Sequence, residues 1–170
     1  MSIITGFDLT TLREKVDVNA AAARLDELGP LRSLSALNEK TGLYRLLGRL
    51  DEAWTTANEA VRQTRFSGDR EQLLGARIRR AQVQQYQGKL PAALSELSLC
   101  VEEAHVHEWS TLEAAAQLTR GKVYFDQGEF EDALSDFTAA VFLYERIGAS
   151  IDLVESALTA IAVTESFTAK

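Results

Sequence analysis

Along most of the chain, apolar and small side chains recur every three or four positions, the spacing of helices with one buried face. Single glycines interrupt this pattern at Gly48, Gly88 and Gly128, 40 residues apart. The stretch GKVYFDQGEFEDALSDFTAA, from Gly121 to Ala140, carries the repeating unit in full. Gly121 and Tyr124 share one helix face, and Gly128 ends that helix. The acidic residues of 129–132 then place negative charge at the next N-terminus, where the macrodipole favours it. In the following helix Ala133, Phe137 and Ala140 form a buried stripe, with Asp132, Ser135 and Asp136 assigned to water. The pattern predicts a helical hairpin whose backbones approach at the small residues Gly121 and Ala133, with Tyr124 and Phe137 filling the space beside them.

One period earlier the same places hold Ala81, Ala93, Leu97 and Cys100; two periods earlier they hold Thr41, Tyr44, Ala53, Ala57 and Ala60. Gly68 and Gly148 match each other at twice the period. Three full hairpins are therefore predicted, over 31–66, 69–106 and 110–147. Asp69 is placed as an N-cap and Pro91 in a first helical turn, where its missing N–H costs nothing. Ahead of them, Leu9 to Leu28 reads as a helix bent or interrupted near residues 17–19 and ended by Gly29-Pro30, a half-repeat over 9–29. Residues 1–8 read as a loosely packed start. A last helix over 151–167, with Val154, Leu158 and Ile161 on one stripe, caps the third hairpin. The expectation is an all-α protein of seven or eight antiparallel helices without a sheet.

The combination G-x2-Y, a glycine turn and A-x3-F, here Gly121, Tyr124, Gly128, Ala133 and Phe137, resembles a tetratricopeptide repeat (TPR). The chain departs from that family's pattern in three ways. Its period is 40 rather than the usual ~34, the family's tryptophan is missing, and Lys40, Arg80 and Arg120 stand where a leucine precedes the small residue. The resemblance implies a right-handed superhelical stack of hairpins forming a single domain over 1–170, with the first helix of each hairpin lining a concave groove. Carried over position by position, the groove residues are Asn38 and Arg45, then Gln82, Gln85 and Tyr86, then Lys122 and Phe125. Amides and cations beside an aromatic suit a peptide backbone, or a carboxylate with an apolar neighbour.

Composition narrows the function classes. With 170 residues and 46% hydrophobic content, the chain can bury a continuous core between stacked hairpins. A net charge of −7 argues against nonspecific nucleic-acid binding, which needs surplus Lys and Arg against phosphate. No run of ~18 apolar residues and no basic-flanked leader is present, so the sequence predicts a cytoplasmic protein without a membrane partner. Cys100 is alone and expected in the core. His105 and His107, two apart, point to different helix faces and make no metal site. Glycine-rich phosphate loops and nucleophile elbows are lacking, and carboxylate pairs such as Glu102-Glu103 read as solvated charge, so no enzyme activity and no cofactor are expected. Arg77, Arg79 and Arg80 read as ion-pair partners of acids such as Glu71 or Glu96.

Charge divides unevenly between the two helices of each hairpin. Segments 31–47, 69–87 and 109–127 carry +2, +2 and 0, together +4, whereas 50–66, 89–107 and 129–147 carry −1, −2 and −4, together −7. A groove lined by the first helices would favour an acidic and apolar peptide or helix of a partner protein. The leading expectation is a non-catalytic protein–protein interaction module. An alternative is a peptide-sensing or regulatory domain, since the chain resembles the repeat regions of bacterial signalling regulators. A further alternative is a self-associating scaffold, a homodimer formed through the terminal helix, whose composition stays rich in Ala, Val, Leu and Ile.

Overall fold

A computed structural model describes residues 2–169. Its elements are β1 (Ile4–Phe7), β2 (Glu14–Val16), α1 (Val18–Leu28), α2 (Leu34–Leu46), α3 (Leu50–Ser67), α4 (Arg70–Tyr86), α5 (Leu90–Val106), α6 (Ser110–Gln127), α7 (Phe130–Arg146) and α8 (Ile151–Thr168). The turns expected at Gly48, Gly88 and Gly128 are present. Each of these glycines takes a left-handed backbone, with φ of 72°, 76° and 78°, which a side chain would strain. Asp69 caps α4 by accepting a hydrogen bond from the Gln72 amide, as expected, and Ser33 and Asp17 do the same for α2 and α1. The chain divides into two compact units at Gly88.

The N-terminal segment differs from expectation. The sequence predicts a loosely packed start over 1–8, of which Met1 lies outside the described residues, and a bent or interrupted helix over 9–28, with no sheet. Among the described residues, β1 and β2 instead form an antiparallel hairpin, and the helix begins only at Val18. The reason is local. Asp8 accepts from the amides of Thr10 and Thr11, folding the chain into a tight turn before a helix can start, and Leu12 adopts a left-handed φ of 56°. Glu14-Lys15-Val16 then alternates as a strand, and Asp17 ends it by capping α1. Ile3 and Val16 pack on the cluster of Ala21, Leu25, Leu28, Ala36 and Leu43, which anchors the hairpin to the first unit. The rest of this unit stacks α1 through α4 in order, with Leu37, Ala60, Val61 and Ala76 as one buried cluster and Ala53, Ala57 and Val83 as another.

In the second unit α5, α6, α7 and α8 pack in sequence, and α8 also touches α6. Ala133, Phe137 and Ala140 are fully buried, as their spacing predicts, and so is Cys100. Asp136 corrects the sequence reading: it is buried, not left to water, because Arg120 meets both of its oxygens at 2.8 and 2.7 Å. Arg120 occupies one of the three places where TPRs carry leucine, and all three cations there have found polar partners. Lys40 donates to the carbonyls of Gly29 and Leu31, closing the end of α1; Arg80 donates to Asn58; Arg120 reaches Ser98 besides Asp136. A long aliphatic stem can fill the leucine position while its charged head leaves the core. That explains how the departure is tolerated.

A second regularity concerns volume. The crossing residue shrinks from Thr41 to Ala81 to Gly121 as the residue at the Phe137 place grows from Ala57 to Leu97 to Phe137. All six are buried. At Gly121 the fit is closed, since a Cβ there would lie 2.5 and 2.7 Å from ring carbons of Phe137.

Between the hairpins, Gly68 and Gly148 adopt left-handed conformations, but the equivalent place holds Glu108, with φ of 57°. Glu108→Gly is therefore expected to stabilise the protein by about 1 kcal/mol by relieving this strain. Thermal unfolding of the two proteins checks it; a lower midpoint in the glycine variant would show that Glu108 is not strained.

Candidate functional site: a buried carboxylate held by Arg45 and Tyr86

Two of the expected groove residues, Arg45 at the end of α2 and Tyr86 at the end of α4, converge on one carboxylate. It is Glu14 of β2. Arg45 donates to both Glu14 oxygens, at 3.1 and 3.3 Å, and the Tyr86 hydroxyl donates to one of them. The guanidinium groups of Arg45 and Arg13 lie 4.6 and 4.5 Å from the centre of the Tyr86 ring. The side chains of Glu14 and Arg45 are only 9% and 8% exposed, so this is a desolvated pair rather than a surface contact. Burial pushes the Tyr86 phenol above its usual pKa and keeps it a hydrogen-bond donor. Chemically, the arrangement is a receptor for a carboxylate on an extended strand: a forked cation, a neutral hydroxyl donor and an aromatic surface with cations above it.

The other expected positions divide between the two units. In the first, Gln85 is fully buried and Gln82 half-buried; Asn38 is half-buried, with an Oδ1 that is shielded from solvent and makes no hydrogen bond among the described residues. In the second, Lys122 is buried, and Phe125 packs edge-on to Phe130 at 5.5 Å and to Phe167 of α8 at 5.2 Å. Phe125 thus serves the seam between α6 and α8. Sequence reasoning missed Glu14 and Arg13 because nothing in a helical repeat pattern points to a strand outside it. The available signal was the alternation Arg13-Glu14-Lys15-Val16 ahead of the capping residue Asp17.

The histidines take ordinary roles: His105 meets Glu113 through Nδ1 at 3.1 Å, and His107 stacks on Trp109 with ring centres 4.6 Å apart. Among the described residues, no helix is long and apolar enough to cross a membrane. The two units differ sharply in charge. Residues 1–88 hold 13 basic and 11 acidic side chains, a balance of +2, and residues 89–170 hold 5 and 14, a balance of −9.

No family model and no curated protein matches this sequence. Among solved structures, the apo form of RapI matches with a TM-score of 0.67 at 15% identity, over 89% of this chain and 57% of the RapI chain. This chain spans little more than half the length of RapI. At such identity the likeness concerns the fold alone, and with the eight helices among the described residues it establishes that the protein has a TPR-like helical-repeat fold.

Proposed function

We propose that the protein is a non-catalytic, long-period TPR module that receives an extended, acidic and apolar segment of a partner protein between the ends of α2 and α4. One observation carries this reading: an extended segment of the chain itself already lies there, with its Glu14 carboxylate held by Arg45 and Tyr86. β2 then acts as an internal stand-in for the ligand. A partner's carboxylate replaces Glu14, and the hairpin leaves as the partner enters. Such an exchange also favours the regulatory reading over a passive scaffold, because binding is coupled to release of β1 and β2, and their new position can be read by another protein.

The test uses the full chain and short labelled peptides, acidic–apolar against basic–apolar, followed by fluorescence anisotropy. Acidic peptides are expected to bind more tightly, and added salt to weaken them. Glu14→Gln weakens the internal competitor and should raise their affinity. Tyr86→Ala should cost about 2 kcal/mol of binding, the scale of an interface hot spot. Equal affinity for both peptide classes, or unchanged affinity in Tyr86→Ala and Arg45→Met, would remove the site from this groove.

A further inference from the structure

One face of α7, from Glu131 past Leu134 and Phe142 to Arg146, borders an open groove of about 800 Å³ whose floor includes Glu113 and Gln117 of α6. Gln117 is only 9% exposed, and its Oε1 makes no hydrogen bond among the described residues. The Glu113 carboxylate is equally buried and meets the exposed His105. Arg146, which lines the groove with His105, donates to Ser110 at 3.2 Å and holds its guanidinium 5.9 Å from the centre of the Phe142 ring, leaving the carboxylate and amide of the floor to other donors. Phe142 stands 63% exposed at the edge. Buried acceptors beside an exposed aromatic call for an occupant with an apolar anchor and cationic N–H donors close to it.

The same chain displays such an anchor. Phe66, in the last turn of α3, is 98% exposed, more than any other large apolar side chain among the described residues. Arg62 and Arg65 lie four and one positions before it, so Arg62 shares its helix face and Arg65 flanks it. Both are exposed and make no hydrogen bond or ion pair among the described residues.

We propose that the last turn of α3 of one copy docks into the α7 groove of a second copy, with Phe66 against Phe142 and the arginines donating to Glu113 and Gln117. The charge balance of +2 over residues 1–88 and −9 over 89–170 steers the two surfaces together. Because the two surfaces differ, each contact leaves one copy with a free groove and the other with a free anchor, so association closes into a ring or continues as an open chain. This inference is independent of the Glu14 groove, whose residues it does not use.

Sedimentation of the full chain over rising concentration, to about 100 μM, tests it. The average mass should climb beyond that of one chain and fall again in high salt. Phe66→Ser removes the anchor, and Ala139→Arg plugs the groove with a cation that repels Arg62 and Arg65. Each variant alone should associate about thirtyfold more weakly than the wild type, the loss of one hot spot. Mixed together they should form a one-to-one complex that grows no further, because one supplies the groove and the other the anchor. Unchanged circular dichroism shows that both variants fold, and Arg65→Glu provides a second anchor variant if Phe66→Ser does not. A wild type that stays monomeric, a mixture that stays monomeric, or a Phe66→Ser variant that associates like the wild type would each overturn the proposal.

Discussion

An Asp136→Ala variant is expected to lose about 3 kcal/mol of folding stability, the low end for breaking a buried ion pair. Asp136 is 5% exposed and both its oxygens are taken by Arg120. With the carboxylate gone, the hydrogen bonds that raise the Arg120 pKa in the wild type are lost and burial works against its charge, but a guanidinium does not shed its proton in a protein and stays a cation. What remains for it is Ser98 at 3.4 Å, the Tyr124 ring at 5.9 Å and the charge of Asp132, which makes no hydrogen bond to it among the described residues. None of them replaces a bidentate carboxylate. The Arg120 side chain keeps 20% of its surface in contact with water, which is why the low end applies. Removing both partners is the control. Arg120→Met with Asp136→Leu leaves no orphaned charge and should recover most of the loss, because the pair is worth less than the penalty of halving it. Urea unfolding of the three proteins decides the matter. A single variant within about 0.5 kcal/mol of wild type would mean that the pair is solvated after all.

Gly121→Ala is expected to destabilise the protein by about 1 to 2 kcal/mol, against the usual direction of a glycine-to-alanine change inside a helix. Ordinarily the exchange gains up to about 1 kcal/mol from reduced backbone freedom. At this site the new methyl would sit 2.5 Å from the Phe137 ring and 3.2 Å from the Cβ of Asp136. Phe137 is fully buried, so its ring can give way only by displacing packed neighbours. Phe137→Leu alone should also cost roughly 1 to 2 kcal/mol, through lost contact and an incompletely closed void. Together, however, the two changes recreate the residue types found at the matching places one period earlier, Ala81 and Leu97. The double variant should therefore be more stable than the sum of the singles predicts, by at least about 1 kcal/mol. Strict additivity would show that the inverse trend in side-chain size along the repeats is not a packing compensation.

Much of this protein was legible in the chain because its information is periodic and local. Turn glycines 40 residues apart, a helix-spaced stripe of Ala53, Ala57 and Ala60, and its later counterparts specify hairpins whichever neighbours they meet. A left-handed turn or a 3.6-residue stripe depends only on nearby residues. The N-terminal hairpin was not legible, since a three-residue strand has no periodicity to count and gains its stability from β1 and from Ile3 and Val16 on the α1–α2 cluster. Asp136 was misplaced for a related reason. A carboxylate beside a buried stripe goes to water unless a cation reaches it, and Arg120 stands sixteen residues away on the neighbouring helix.

The candidate site divides along the same line. Arg45 and Tyr86 could be picked out by their places in the repeat, but their partner Glu14, 31 and 72 residues distant, could not. Residue types and spacing thus determined the helices, their turns and most of the core. Which charges are buried, which carboxylate meets Arg45 and Tyr86 and which aromatic seals α6 against α8 were decided by the tertiary structure alone, because desolvation and pairing depend on what lies across a gap, and that is a property of the fold rather than of any stretch of chain.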